Sequence, residues 1–235
     1  ERVWGESEMI VKVKEPISSE YSLIQPNQTI YTYFHLAAVP ELADVLLAKN
    51  VAAVAYETIQ LADGSLPLLH PMSEVAGKMA PQVGSACLQK EHGGKGVLLG
   101  GVPGVKRGEV VILGAGTVGF NAARIALGMG ARVTVLDINV RRLNYLEDTF
   151  GTLIQTLFSD SDTIDRILPT ADLVIGAVLI AGARAPQLVR RSHLAMMAPG
   201  TVVVDVAVDQ GGCIETCRAT THEDPTFVVD RVVHY

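Results

Sequence analysis

The second half of the chain alternates apolar, β-branched runs with segments that place apolar residues at helical spacing. The apolar runs predict strands that contain few polar residues, and the segments between them predict helices. Buried strands that alternate with helices are typical of a parallel sheet covered on both faces. The predicted strands are Glu109–Leu113, Arg132–Asp137, Leu153–Leu157, Ala171–Val178, Thr201–Val208 and Thr226–Val233. The predicted helices are Asn121–Met129, Val140–Phe150, Asp162–Leu168 and Pro186–Met196.

The first part of the chain repeats this alternation on a smaller scale, which predicts a second, smaller α/β unit. Its expected elements are the strands Met9–Lys14, Thr29–Phe34 and Val51–Glu57 and the amphipathic helix Val39–Asn50.

A long helix is predicted after the smaller unit. It spans about residues 73–91, with Ser73 as its N-cap, and Gly77, Pro81 and Gly84 are expected to weaken or bend it. We place the domain boundary near Pro67–Met72. The chain therefore divides into residues 1–68, part of an α/β domain, and residues 69–235, a doubly wound domain that includes the long helix.

A glycine-rich hexapeptide lies where the first strand of the larger domain meets its first helix. It reads GAGTVG and comprises Gly114, Ala115, Gly116, Thr117, Val118 and Gly119. In this context the G-x-G-x-x-G pattern indicates a dinucleotide-binding loop. The first glycine permits a tight turn, the second lets the backbone approach a pyrophosphate, and the third allows close packing of helix and strand. Free N–H groups at the helix start favour the phosphates.

An acidic residue closes the second strand of the same domain. Asp137 lies 18 residues after Gly119, where a carboxylate can accept hydrogen bonds from both hydroxyls of the adenosine ribose. Because it would repel a 2′-phosphate, NAD is favoured over NADP as the cofactor. Arg141 and Arg142 could instead accept a 2′-phosphate, or they could be solvated charges on a helix surface. Alternatively, Asp137 merely caps the following helix.

Composition excludes several classes of protein. Hydrophobic residues make up 49% of the chain, which is enough to fill a core and excludes global disorder. The longest stretch of apolar residues and glycine, Leu173–Ala183, is well short of the roughly 20 residues that a membrane helix needs. The net charge is −6 and no basic cluster exceeds two residues, so a nucleic-acid partner is not expected.

The three cysteines indicate a reducing compartment, because an odd number argues against a disulfide scaffold. Cys213 and Cys217 lie four residues apart, but no second Cys/His pair accompanies them. We therefore expect two ordinary thiols and no metal site.

Three polar residues stand at the carboxyl ends of predicted strands, where ligands bind in open α/β sheets. They are Lys14, His35 and Asp209. Each has a simpler interpretation. Lys14 could be a solvated lysine, and alternation cannot distinguish it from Lys12; His35 could be a structural histidine; and Asp209 could be a turn residue that satisfies local backbone groups.

Nine segments along the chain carry a family resemblance. They are VKVKEP (11–16), YTYFHLA (31–37), AYET (55–58), LPLLHPMSEVAG (66–77), GGVPGV (100–105), GAGTVGFNAARIALGMGA (114–131), VTVLDIN (133–139), ADLVIGAVL (171–179) and VVDVAVDQGGCIE (203–215). With these motifs the chain resembles the alanine dehydrogenase family across essentially its whole length. The nucleotide-binding subunit of the related transhydrogenases shares the architecture, but VDVAVDQGG together with YTYFHLA is more similar to the dehydrogenases.

The resemblance implies roles for individual residues. Lys14 would hold the substrate carbonyl or carboxylate, His35 would assist proton transfer, and Asp209 would take part in catalysis near the nicotinamide. The glycine loop would bind the pyrophosphate and Asp137 the ribose. Three further residues would adjoin the cofactor, namely Ser73 at a phosphate, Arg142 near the adenosine and Val178 along the nicotinamide.

The resemblance also implies an activity and a setting. The activity is NAD-dependent oxidative deamination of L-alanine to pyruvate and ammonium, with the reverse reductive amination, in a cytoplasmic homo-oligomer that is commonly a hexamer. Two alternatives stay open: a transhydrogenase-type subunit that passes hydride to a second nucleotide domain, and an inactive NAD-binding fragment. The second arises because the chain opens without Met, closes in a strand-like run and lacks both ends of the family pattern, including an arginine for the substrate carboxylate and an asparagine beside the nicotinamide.

Overall fold

The computed structural model describes residues 2–180 and 182–235, which form two compact units. The first unit is Glu1–Met72 with Ile180–Arg184, and the second is Ser73–Leu179 with Ala185–Tyr235. The return of the short segment 180–184 to the first unit was not indicated by the sequence pattern. Among the described residues, no helix combines the length and the apolar character needed to cross a membrane.

The first unit is built on a three-stranded parallel sheet in the order β1-β2-β3. One apolar cluster, which includes Trp4, Ile30 and Phe34, packs this sheet against helix α2 through Leu42 and Leu46. The elements are α1 (Arg2–Glu6), β1 (Met9–Lys14), β2 (Thr29–Tyr33), α2 (Pro40–Ala48) and β3 (Ala52–Ala55). Helix α3 (His70–Cys87) follows and runs across the division between the units.

The second unit is built on a seven-stranded sheet in the order β6-β5-β4-β7-β8-β10-β9. All neighbouring pairs are parallel except β10 and β9, so an antiparallel strand forms one edge. The strands are β4 (Glu109–Leu113), β5 (Arg132–Asp137), β6 (Ile154–Phe158), β7 (Leu173–Gly176), β8 (Val202–Asp205), β9 (Phe227–Val229) and β10 (Val232–His234). The helices between them are α4 (Thr117–Gly128), α5 (Val140–Phe150), α6 (Ser161–Ile167) and α7 (Arg191–Leu194).

Alternating residues of the central strands pack into two separate hydrophobic cores, one on each face of the sheet. In β4, Val110 and Ile112 pack with α3, α4 and α5, whereas Val111 and Leu113 pack with α6 and α7. Both faces of the sheet are therefore covered, and the predicted doubly wound α/β fold class is confirmed. The strand order reverses between β4 and β7, which is the position where such sheets bind ligands.

The prediction for the long helix was wrong at both ends. Helix α3 begins at His70, so Ser73 lies inside the helix and is not its N-cap. Pro71 in the first turn favours this earlier start, because its fixed φ is helical and its missing N–H costs nothing there. The helix ends at Cys87, and a 3-10 turn at Lys90–His92 follows.

Close packing keeps α3 helical through its glycines. A Cβ on Gly77 would lie 2.4 Å from the Val118 carbonyl oxygen, and one on Gly84 would lie 2.6 Å from the Leu173 side chain. Both glycines therefore allow α3 to approach its neighbours within the second unit, and this tertiary contact outweighs their low helix propensity.

Two further element predictions were wrong. Helix α7 covers only Arg191–Leu194 of the expected Pro186–Met196, because the preceding segment is extended and Leu188 N donates to the Cys213 carbonyl at 2.8 Å. The expected strand Thr226–Val233 is a hairpin, since the backbone reverses at Asp230 and Arg231, with φ of 48° and 70°.

The expected strands Ala171–Val178 and Thr201–Val208 are shorter at both ends. Strand β7 ends at Gly176, two residues before Val178, and β8 ends at Asp205. A 3-10 turn, Val208–Gln210, carries Asp209. Asp209 therefore lies in a turn beyond β8 and does not follow the strand directly.

Candidate functional site

The glycine loop joins β4 to α4 and lies at the reversal point of the sheet. Gly114 has φ of +108°, and a Cβ there would lie 2.7 Å from the Ala177 carbonyl oxygen. A Cβ on Gly119 would lie 1.8 Å from the Gly114 carbonyl oxygen. The first and third glycines are therefore required by backbone conformation and by close packing of the loop on the helix, as the motif predicts.

The second glycine leaves open space at the start of α4. Gly116 is the N-cap of this helix, and a Cβ there would meet only the Arg142 guanidinium, with Nη1 3.0 Å away. A glycine N-cap offers no side-chain acceptor to the N–H groups of the first turn of α4, and the N-terminus of such a helix favours an anion. This arrangement fits a dinucleotide pyrophosphate, with Thr117 and Val118 in the first helical turn and Arg142 alongside.

Asp137 connects the end of β5 to the glycine loop. Its carboxylate accepts the N–H of Ala115 at 2.6 Å and the N–H of Asn139 at 2.7 Å. The N-cap of α5 is Asn139, whose side chain accepts the N–H of Arg141. The alternative in which Asp137 caps the helix is therefore wrong, and its partly exposed carboxylate stands beside the loop.

Val178 and Ser73 lie near the loop in different ways. Val178 follows β7, and its backbone N would lie 3.1 Å from a Cβ on Gly114. Ser73 stands one turn before Gly77, the point at which α3 touches the Val118 carbonyl of α4. The loop, Asp137, Arg142 and Val178 are thus brought together, whereas Ser73 is placed near them only through the contact of α3 with α4.

In the first unit, Lys14 and Lys12 have different environments. Lys12 pairs with Glu20 and lies over the Trp4 ring, 5.5 Å from its centroid. Burial raises the pKa of Glu20, but hydrogen bonds from Lys12 and Ile17 N outweigh that effect and hold it below its ordinary value. Lys14 is exposed at the end of β1 and pairs in register with Tyr33 of β2. Lys12 is thus engaged by Glu20 and Trp4, whereas Lys14 stands at the carboxyl end of β1.

His35 lies two residues beyond β2 and is buried, with 7% of its surface exposed. Its φ is +50°, a left-handed conformation that is costly for a residue other than glycine. The buried carboxylate of Glu57 accepts the His35 N–H at 2.8 Å and the Phe34 N–H at 3.2 Å. The ring Nδ1 lies 3.5 Å from Glu15 Oε2.

Sequence reasoning missed the groups that surround His35. Glu57 follows β3, the neighbour of β2, so its place after a strand was a signal that could have identified it. The Tyr33 ring stacks with the His35 ring, with 6.3 Å between the ring centroids. The Tyr33 hydroxyl donates to the Leu68 carbonyl at 2.6 Å. Burial, followed by the charges of Tyr56 and Glu57, raises the pKa of Tyr33.

Asp209 is exposed on the loop that follows β8 in the second unit. The three candidate catalytic residues are thus divided between the units. Lys14 ends β1 and His35 lies two residues beyond the neighbouring β2 in the first unit, and Asp209 belongs to the second. Within residues 2–180 and 182–235, no group of three or more His, Cys, Asp or Glu side chains is arranged to hold a metal ion.

Family profiles match both parts of the chain. Residues 1–76 match the alanine dehydrogenase/PNT N-terminal domain, and residues 80–235 match the alanine dehydrogenase/PNT C-terminal domain. The chain belongs to the alanine dehydrogenase/PNT family. This membership confirms the resemblance inferred from the sequence motifs.

Relatives within the alanine dehydrogenase/PNT family are similar along the entire chain. The alanine dehydrogenase of Methanococcus maripaludis is 56% identical over 234 residues, which cover 99% of this chain. That of Mycobacterium tuberculosis is 52% identical over 235 residues, which cover the whole chain. In both comparisons the chain spans 63% of the length of the relative.

Two solved structures share the fold of this chain. An L-alanine dehydrogenase superposes with a TM-score of 0.85 at 54% identity, over 98% of this chain and 64% of that chain. The transhydrogenase from Sinorhizobium meliloti superposes with a TM-score of 0.73 at 23% identity, over 97% of this chain and 66% of that chain. The latter likeness is one of fold.

Proposed function

We propose that the protein is an NAD-dependent dehydrogenase that oxidatively deaminates L-alanine to pyruvate and ammonium, and that catalyses the reverse reductive amination. The observation that carries this proposal is the identity of 52–56% to curated alanine dehydrogenases across 99–100% of the chain. The candidate residues Lys14, His35 and Asp209 all stand in motifs through which the chain resembles that family.

The second unit supplies the groups that would hold NAD. The N–H groups at the start of α4 would bind the pyrophosphate, with Gly116 leaving the space for it and Arg142 near the adenosine. Asp137 would accept hydrogen bonds from the ribose hydroxyls, in exchange for its present bond to Ala115 N. When bound, NAD supplies the acceptor for the hydride that leaves the alanine Cα.

The first unit supplies the groups for the substrate. The exposed Lys14 ammonium would fix the carboxylate or polarise the carbonyl oxygen. The His35 imidazole would exchange protons with the substrate. Its backbone is held by Glu57 and its ring is flanked by Tyr33 and Glu15, so it would act from a fixed position.

Asp209 would serve the hydrolytic half of the reaction. Loss of hydride and a proton converts alanine to an imine, which water must then attack to release ammonium and leave pyruvate. An exposed carboxylate can accept a proton from that water and so orient or activate it. We assign this role to Asp209, with residues 1–68 as part of the substrate domain and residues 69–235 as the nucleotide domain.

The setting of the enzyme also belongs to the proposal. All three cysteines are free thiols, which is compatible with a reducing cytoplasm. The family resemblance supports a homo-oligomer, commonly a hexamer. No nucleic-acid partner is proposed, because the chain is acidic overall, with a net charge of −6.

The experiment substitutes each candidate in the full-length protein and follows alanine-dependent formation of NADH. Lys14→Ala, His35→Ala and Asp209→Ala should each lower kcat/KM for alanine by about 100-fold or more while NAD still binds. Lys12→Ala is the matched control for Lys14→Ala and should retain activity, because Lys12 is engaged by Glu20 and Trp4. Near-normal alanine oxidation by all three variants would overturn the residue assignment.

A second assay separates the dehydrogenase from a transhydrogenase-type subunit. The full-length protein is supplied with NADH and with a partner nucleotide domain that carries an oxidised nucleotide as the hydride acceptor, and no amino acid or keto acid is added. Hydride transfer to that nucleotide, combined with no NADH formation in the separate alanine assay, would support the transhydrogenase.

A further inference from the structure

Asp205, the last residue of β8, is a buried carboxylate with only 4% of its surface exposed. Its donors are uncharged: the N–H of Ala207 at 3.0 Å, the N–H of Ile214 at 2.9 Å and the Cys213 thiol at 3.5 Å. No ion pair with a lysine or arginine reaches it within the described part of the chain. A buried carboxylate without a cation is costly, so its retention calls for a local reason.

The two amides that Asp205 holds stand at opposite ends of one loop, residues 207–214. The carboxylate therefore closes the loop by joining Ala207 to Ile214. Within the loop, the Ala207 carbonyl accepts the N–H groups of Gln210 and Gly212 at 2.9 and 3.0 Å. The exposed Asp209 lies in the 3-10 turn at the centre of this closed loop.

Neighbouring backbone is shaped around the carboxylate. A Cβ on Gly176 would lie 2.8 Å from Asp205 Oδ1, and a Cβ on Gly212, whose φ is +72°, would lie 2.9 Å from Oδ2. Burial raises the pKa of Asp205, and the hydrogen bonds from Ile214 and Ala207 oppose that rise. Burial and the adjacent Asp205 carboxylate raise the pKa of Cys213, which keeps its thiol protonated as a donor.

We propose that Asp205 is a positioning residue for Asp209: it fixes both ends of loop 207–214 and so holds the Asp209 carboxylate in place for the dehydrogenase reaction. This inference rests on the proposed function. Asp205 acts through the loop, and Asp209 alone meets the reacting groups. A loop released at Ala207 and Ile214 would let Asp209 move, and displacement of a catalytic group by about 1 Å can cost 100-fold in rate.

The test is a double-mutant cycle in the full-length protein. Asp205→Asn keeps the shape but replaces one carboxylate oxygen by an amide NH₂, so that one of the two N–H groups, of Ala207 or of Ile214, loses its acceptor. We expect it to lower kcat for alanine about tenfold or more, with the KM for NAD changed less than about threefold. If Asp205 acts through Asp209, then Asp205→Asn should cost less than about threefold further in an Asp209→Asn background. A purely structural residue would not give this loss of additivity.

The matched control is Asp172→Asn, which removes another buried carboxylate that accepts a backbone N–H, from Glu109 at 2.7 Å. It should lower Tm and leave kcat within about threefold of the wild type well below Tm. Should Asp205→Asn not fold, Gly212→Ala strains the same loop and should show the same non-additivity with Asp209→Asn.

Two outcomes overturn the proposal, and they are distinguishable. If the wild type is active and Asp205→Asn keeps its kcat, the positioning role alone is overturned. The same holds if the losses of Asp205→Asn and Asp209→Asn multiply in the double variant. A wild-type protein without alanine-dependent NADH formation overturns the proposed function and the positioning role together.

Discussion

The carboxylate of Asp137 accepts the backbone N–H of Ala115 at 2.6 Å, and so ties the end of β5 to the glycine loop. A negative charge is thereby fixed beside the space that Gly116 leaves open. The same carboxylate accepts the N–H of Asn139, which orients it from the helix side. This placement explains physically why a ribose with free hydroxyls should be preferred to a ribose that carries a phosphate.

Substitution of Asp137 should change the choice of cofactor. Asp137→Ala removes two ribose acceptors and the repulsion of a 2′-phosphate, while Arg142 stays beside the loop. We expect the KM for NAD to rise about tenfold or more and the KM for NADP to fall. Initial rates with both nucleotides check this, with Asp148→Ala on the exposed face of α5 as the control. An unchanged ratio of the two KM values would contradict the assignment of Asp137.

Substitution by alanine should have opposite effects at two glycines of α4. Gly119→Ala places a Cβ 1.8 Å from the Gly114 carbonyl oxygen, so the loop must move and NAD affinity should fall steeply. Gly128→Ala meets nothing within 4 Å and should raise the free energy of unfolding by about 0.5–1 kcal/mol. NAD titration and urea unfolding measure the two effects. Equal NAD affinity in both variants would refute the close-packing role of Gly119.

Two substitutions of His35 distinguish the effect of its left-handed backbone on stability from the effect of its imidazole on the reaction. Asn tolerates a φ of +50°, whereas a β-branched residue does not. His35→Asn should therefore stay more stable than His35→Val by about 1–2 kcal/mol, while both lose alanine oxidation. Urea unfolding and steady-state rates give the comparison. If His35→Asn keeps both its free energy of unfolding and its rate of alanine oxidation, the imidazole has no chemical role.

The pair Lys95–Asp172 should stabilise the second unit without affecting the reaction. Lys95 Nζ lies 2.7 Å from Asp172, with side-chain exposures of 17% and 5%. Lys95→Met leaves the Asp172 carboxylate unpaired and should lower the free energy of unfolding by about 3 kcal/mol. Arg166→Ala, which removes an exposed ion pair with Asp162, should cost about 0.5 kcal/mol or less. Comparable losses in urea unfolding would contradict the burial argument.

Buried His234 should make stability depend on pH. Its ring lies between the Thr216 hydroxyl at 2.7 Å and the Val232 carbonyl at 2.9 Å. Burial lowers the pKa of His234, against smaller opposing effects of Val232 and Asp230. The unfolded state therefore binds the proton more tightly, so this contribution is fully present above the ordinary pKa of 6.5 and is lost as pH falls through the folded-state pKa.

Urea unfolding at pH 5 and pH 7.5 tests this expectation. The wild type should lose more stability on acidification than His234→Gln, which cannot titrate. If both proteins lose the same amount, other groups account for the acid sensitivity.

The local sequence pattern was sufficient to predict the elements that are marked by a distinctive motif or an apolar run. GAGTVG after the β-branched run of β4 predicted the loop, and the apolar runs predicted the central strands, because these signals come from neighbouring residues. The edge hairpin was missed because Asp230-Arg231 lacks the glycine or asparagine that usually marks a turn with positive φ.

Long-range contacts account for the other differences. Nothing in the sequence near residues 186–190 shows that this segment pairs with the loop at Cys213, 25 positions from Leu188, and stays extended. In the same way, the burial of Glu57 and Asp205 depends on the assembled sheets. The sequence places candidate residues near strand ends, whereas the hydrogen bonds that hold them form only in the folded chain.

On this protein, alanine should give its Cα hydride to NAD. The most direct measurement supplies L-alanine deuterated at Cα and NAD to the full-length protein and analyses the products by mass spectrometry. We expect one deuterium in the reduced nucleotide, with pyruvate and ammonium formed in equal amounts. Absence of deuterium from the reduced nucleotide, or absence of pyruvate, would contradict it.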